Sequence, residues 1–158
     1  MPSLFVILLF LHVAAAIVAF GPSYTTPLVM RMAAAEPEHR GFVSRMNLAV
    51  SRKVTTPLAI SMGVTGVLMM WERNIPLQPW LTVAIVLYVF LVGWSLLVQQ
   101  PASQRIIDQM AALRESGAPP GPPPPEVQKL IKRTSNGGKM LGVVTFVILA
   151  LMIWKPQF

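Results

Sequence analysis

The chain has 158 residues, of which 54% are hydrophobic and only 12% charged, and its formal net charge is +7. Soluble domains carry about 25% charged residues, so this balance excludes an ordinary water-soluble enzyme and points to a membrane protein. The absence of cysteine removes disulfides, thiolate metal sites and cysteine nucleophiles as sources of structure or chemistry.

Four apolar segments, at about residues 3–30, 54–71, 80–98 and 139–155, alternate with loops that hold nearly all the charge. A hydrocarbon core about 30 Å thick is crossed by roughly 20 helical residues at 1.5 Å each. The segments are apolar all round, unlike a soluble helix with its single apolar stripe.

In the first segment the only polar side chain between Leu4 and Gly21 is His12. The start resembles a signal peptide, with its run Ala14-Ala15-Ala16, but it lacks a basic start and outlasts the usual apolar region. It is read as a retained span. Pro22 and Pro27 each remove a backbone donor, which predicts a kink near Gly21. Ser23, Thr25 and Thr26 stand ready to satisfy the freed carbonyls. A polar turn follows, and residues 41–53 lead helically into the second span.

The second span carries Gly63 and Gly66, small residues that let helices approach closely. The hairpin Trp71 to Trp80 is short, with tryptophans where an aromatic belt belongs, so spans two and three are antiparallel neighbours. Residues 101–115 read as an amphipathic helix. Residues 117–125 are proline-rich and favour extended polyproline II, either as a stiff linker or as a docking segment. Residues 126–133 look helical, and Ser135-Asn136-Gly137-Gly138 is expected to break that helix before the last span.

The loops after spans one and three hold eleven of the 13 Lys and Arg residues; Arg73 and Lys155 are the two on the other side. By the positive-inside bias the two long loops face the cytoplasm and both termini lie outside. The excess charge is thus a topology signal that meets anionic headgroups. Basic residues without interleaved aromatics do not make a nucleic-acid platform.

His12 lies about 14 Å into the first span, counting 1.5 Å per residue from Ser3. Three readings are open for it. It is a neutral histidine bonded to another helix, through Ser61, Thr65 or Thr145; an axial haem ligand; or a proton relay. A second haem ligand is nominally available in Met62 of the second span or Met140 of the fourth. No span contains Asp or Glu, and no catalytic motif, phosphate loop or metal-ligand cluster is present in the sequence.

Leu11-His12-Val13-Ala14-Ala15, then Ala19-Phe20-Gly21-Pro22, Thr56-Pro57, Gly63 and Gly66, Pro79-Trp80-Leu81 and terminal Lys155-Pro156 resemble, in order and spacing, an uncharacterised family of predicted four-helix bacterial membrane proteins. That family is similar in turn to the J-type protoporphyrinogen IX oxidase and to the membrane domain of copper-resistance protein D. The resemblance implies a haem at His12 and, for the oxidase, a lysine in span three. That lysine follows a Trp-Leu-x-Val stretch, and the matching position here is Ala84.

The expectation is a single integral membrane domain over residues 1–158: an all-α, antiparallel four-helix transmembrane bundle in a bacterial cytoplasmic (inner) membrane. The first functional reading is a non-enzymatic accessory or assembly subunit of a larger membrane complex. Its partners are the lipid bilayer and other membrane subunits or a second copy, and not nucleic acid. The alternative is a haem-binding redox protein with His12 as axial ligand, Met62 as the weaker second ligand, and an oxidoreductase relationship to the oxidase. A small-solute or metal transporter comes third, since the sequence shows no repeated broken helices.

Overall fold

The computed structural model describes residues 3–36, 38–117 and 122–156. Among them, six α-helices form four long rods, each with a stretch long and apolar enough to cross a membrane. The first rod is α1 (Leu4–Ala35). In the second, α2 (Arg40–Val50) passes through a π-helical turn, Ser51–Thr55, into α3 (Thr56–Glu72). In the third, α4 (Pro79–Trp94) passes through another, Ser95–Gln99, into α5 (Gln100–Glu115). The fourth is α6 (Pro125–Trp154).

Neighbouring rods run in opposite directions. Arg73, at the end of α3, lies over the Phe5 ring near the start of α1, 4.6 Å from its centroid. Further along, His12 meets Met62 at 2.9 Å, and Thr26 meets Asn47 at 3.1 Å. One number rises as the other falls, which is an antiparallel register. The same order links the second and third rods through Tyr88 to Ala59, Gln100 to Thr56 and Gln104 to Arg52. α1 lies closest to α3 and α4 closest to α6, while α3–α4 and α1–α6 close the ring at fewer points.

The inner faces mix alanines with larger apolar side chains. On α1, Leu8, Ala15 and Ala19 are buried, with His12 half-buried on the same stripe. The facing positions include Ala59, Met62 and Thr65 on α3 and Ala84 and Leu91 on α4. Outward, Phe10, Ile17, Val67, Val86 and Val143 each expose more than half their surface. In water this would be a liability; lipid tails are as apolar as the side chains that face them.

Three local expectations change. α1 is one continuous helix from Leu4 to Ala35 with Pro22 and Pro27 inside it, missing only the two bonds the prolines cannot donate, so the helix does not stop and resume at Gly21. The hydroxyls of Thr25 and Thr26 lie 3.1 and 2.8 Å from the Pro22 carbonyl. They turn back to Pro22 O and not to the Val18 and Ser23 carbonyls, which lost their donors to the prolines; Val18 lies beyond the one turn a threonine hydroxyl spans. Finally, Ser135-Asn136-Gly137-Gly138 does not break α6. Gly137 instead lets the π-helical turn of the third rod come close: a methyl group there would lie 2.7 Å from Gln99 Oε1. Gln99 Nε2 donates to the Thr134 carbonyl at 2.9 Å.

Residues 41–53 and 101–115 are helical as expected. Of the proline tract, residues 118–121 lie outside the described residues. Pro124 is extended, with φ −51° and ψ 152°, and Pro125 opens α6, where a missing N–H costs nothing because the first turn has no intrahelical acceptor for it.

Candidate functional site

α3 receives two ring side chains, one from each neighbouring rod. From α1, His12 Nδ1 lies 2.9 Å from the Met62 carbonyl and 3.3 Å from Thr65 Oγ1. A carbonyl can only accept, so Nδ1 carries the proton and, in the neutral ring, Nε2 carries the lone pair. The Thr65 hydroxyl turns back on its own helix, 2.9 Å from the Ser61 carbonyl and 3.0 Å from that of Met62. From α4, Tyr88 donates its hydroxyl proton to the Ala59 carbonyl at 2.7 Å.

Each ring is seated by a glycine. A methyl group on Gly66 would lie 3.3 Å from His12 Cε1, and one on Gly63 would overlap the Tyr88 hydroxyl. In both cases the ring bonds the carbonyl four residues before the glycine: Met62 for Gly66, Ala59 for Gly63. That carbonyl already accepts the glycine's own N–H in the helix and uses its second lone pair for the ring. Gly63 and Gly66 thus serve two partners on different helices, which explains why they are not spaced as a single-interface GxxxG pair.

Of the three partners expected for His12, Thr65 is reached directly and Ser61 only through Thr65. Thr145 is buried but donates to the Leu141 carbonyl of its own helix at 2.9 Å. Met62 is brought to His12, but the contact is through its main-chain oxygen. Tyr88 was not singled out in the sequence; a lone tyrosine in a span carries no signal that it faces a glycine one helix away. Among the described residues, no group of three or more His, Cys, Asp and Glu side chains gathers to hold a metal ion.

A cavity of about 330 Å³ lies elsewhere, between the proline segment of α1 and α2. Its lining includes Gly21, Pro22, Thr26, Val29, Met46 and Asn47, and not His12. Gly21 follows His12 by nine residues, about 14 Å along the helix, so this space is not a cradle for a group held on the histidine.

Residues 6–156 match the family of predicted integral membrane proteins DUF2269. The chain belongs to the DUF2269 family. The match covers both ring docks and all four rods of this DUF2269 protein, and it agrees with the four-helix membrane family to which the sequence motifs point. No curated protein and no solved structure matches the chain, and the comparisons give no support to a wider likeness to the protoporphyrinogen oxidase or copper-resistance protein D.

Proposed function

We propose that this DUF2269 protein is a non-catalytic subunit: a single membrane domain that helps assemble or steady a larger complex in a bacterial inner membrane, with both termini outside. The observation that carries the reading is the use made of His12. The one histidine deep within a span is bonded to the Met62 carbonyl of the next helix, so it acts to join α1 to α3. Apolar cores between the rods, among them Ala15, Ala19, Ala59 and Ala84, leave function to the outer faces, where other subunits or a second copy bind. The test is purification from native membrane with a mild detergent. Stable, stoichiometric partners are expected; a lone species carrying a coloured cofactor would contradict the proposal.

One observation favours a second reading. A histidine whose Nδ1–H is fixed by a carbonyl presents Nε2 as a metal ligand, the arrangement found behind most ligating histidines. A haem on Nε2 would bring one-electron iron chemistry. The part of this chain would be to hold the haem through His12, with that ring steadied by Met62 O and Thr65, and, at most, to offer the Met62 thioether as a second ligand. Ala84, at the place of the oxidase lysine, exposes none of its surface. The span-three amine is therefore lost and its place is packed, which argues against oxidase chemistry even with haem present. This reading expects a Soret band that is lost in His12→Ala and in His12→Asn; a colourless protein from haem-replete cells removes it.

A further inference from the structure

The geometry points to a binding site for a phosphate group, of a dissolved phosphomonoester or of a lipid headgroup, between α2 and α5, at Arg45 and Arg114. A methyl group built on Gly41 would lie 3.2 Å from Arg114 Nη1 and 3.4 Å from Arg45 Nη1. The two guanidinium nitrogens, from different rods, are therefore within 6.6 Å of each other, the most those two distances allow. Two positive groups held this close repel unless an anion lies between them.

The chain supplies no such anion. Among the described residues, neither Arg45 nor Arg114 has a carboxylate within ion-pair distance. The nearby turn does carry acids, but Glu36 and Glu38 lie against His39, at 3.6 and 3.7 Å. Arg52, one rod position further on, is occupied by Gln104 at 3.0 Å. The neighbouring Arg40 donates to the Ala33 carbonyl at 3.2 Å. Arg45 and Arg114 are both exposed, and Gly41, by lacking a side chain, leaves the space into which both heads turn.

Phosphate suits this pair better than a chloride or a single carboxylate. Guanidinium groups present N–H pairs in a fixed plane that match phosphate oxygens in bidentate fashion. Contacts of about 2.8 Å on either side bring nitrogens at this separation onto one small oxyanion, and a phosphate carries enough charge to offset both.

Depth allows both sources of phosphate. Thr26, four residues inside the end of the first span, meets Asn47 at 3.1 Å, and Arg40 donates to the Ala33 carbonyl at 3.2 Å. Gly41 precedes Asn47 by six residues, about 9 Å along the helix, which puts it about 3 Å past the level of Met30. The headgroup layer adds about 5–8 Å to each side of the hydrocarbon core. The pair stands at that layer, where a dissolved phosphate and a lipid phosphate both reach it.

The experiment is a calorimetric titration of inorganic phosphate into the full chain held in phosphatidylcholine discs. Saturable one-site binding is expected. Arg45→Gln and Arg114→Gln should each weaken it at least tenfold while the far-ultraviolet circular dichroism stays that of the parent. Arg105→Gln, which removes the same charge from elsewhere on α5, should leave it unchanged. No saturable binding, or an equal loss in Arg105→Gln, overturns the site. Discs containing anionic phospholipid separate the two sources: unaltered affinity for phosphate there assigns the pair to a dissolved ligand, and loss of phosphate binding assigns it to a lipid headgroup.

Discussion

At the scale of single residues, the two glycines of α3 carry the sharpest expectation. An added methyl at Gly63 overlaps the Tyr88 hydroxyl, so Gly63→Ala must displace the ring and break its bond to Ala59 O. Overpacking of this kind costs about 1–3 kcal/mol. In a Tyr88→Phe background, with the hydroxyl already gone, the cost of Gly63→Ala should fall, and a double-mutant cycle of unfolding in detergent measures the difference. Equal costs in both backgrounds would mean that the glycine does not seat the ring. His12 was legible from sequence because an ionisable side chain within a span must face the bundle interior. Its partner was legible only as a short list, since Ser61, Thr65 and Thr145 all offer hydroxyls. What the sequence could not express is that the main partner is a backbone carbonyl, a group every residue has.

At the scale of elements, α6 shows where local propensity loses to packing. Two consecutive glycines after Ser135-Asn136 favour a break in an isolated helix, yet α6 continues, because Gln99 fills the space beside Gly137 and donates to Thr134 O. Gly137 and Gly138 should therefore respond oppositely to alanine. At Gly138 the new methyl meets Gln99 Nε2 at 3.5 Å, an ordinary contact, and the gain in helix propensity of up to about 1 kcal/mol is retained. At Gly137 it meets Gln99 Oε1 at 2.7 Å, and the Gln99 bond is lost. Thermal unfolding should place Gly138→Ala at or above the parent and Gly137→Ala below it; the reverse order would show that the glycines act through the unfolded chain alone. The amphipathic lead-in helices, α2 and α5, were readable from their periodicity. The π-helical turns at Ser51–Thr55 and Ser95–Gln99 were not. They mark the places where Gln100 bonds Thr56 at 2.8 Å and Gln99 reaches Thr134, long-range pairings that leave no trace in local sequence.

At the scale of the whole molecule, the four-rod plan was legible because lipid imposes it: a spanning segment needs length and uniform apolarity, and both can be counted. The rods of 30–37 residues are about 45–56 Å long at 1.5 Å per residue, so each outruns a core about 30 Å thick. The excess of the middle two rods and the polar first half of α6 gather at one end, which carries most of the basic residues. In the orientation proposed from the charge bias, this end faces the cytoplasm. With no native cysteine, single introduced thiols can test it without interference. Ser116→Cys should react with a membrane-impermeant maleimide only in inverted vesicles, and Asn74→Cys only in intact spheroplasts; the opposite labelling would invert the topology.

The account turns on His12 acting as a helix-to-helix donor through Nδ1, and the most direct measurement is the unfolding free energy in detergent of the parent, His12→Asn and His12→Ala. Asparagine places an amide N–H close to the position of Nδ1 and has nothing at Nε2. The account predicts that His12→Asn stays close to the parent while His12→Ala loses about 1–2 kcal/mol, the upper range for a hydrogen bond between membrane helices. An equal, larger loss in both variants, accompanied by the disappearance of a Soret band, would show that Nε2 and a bound group hold the protein together, and would contradict it.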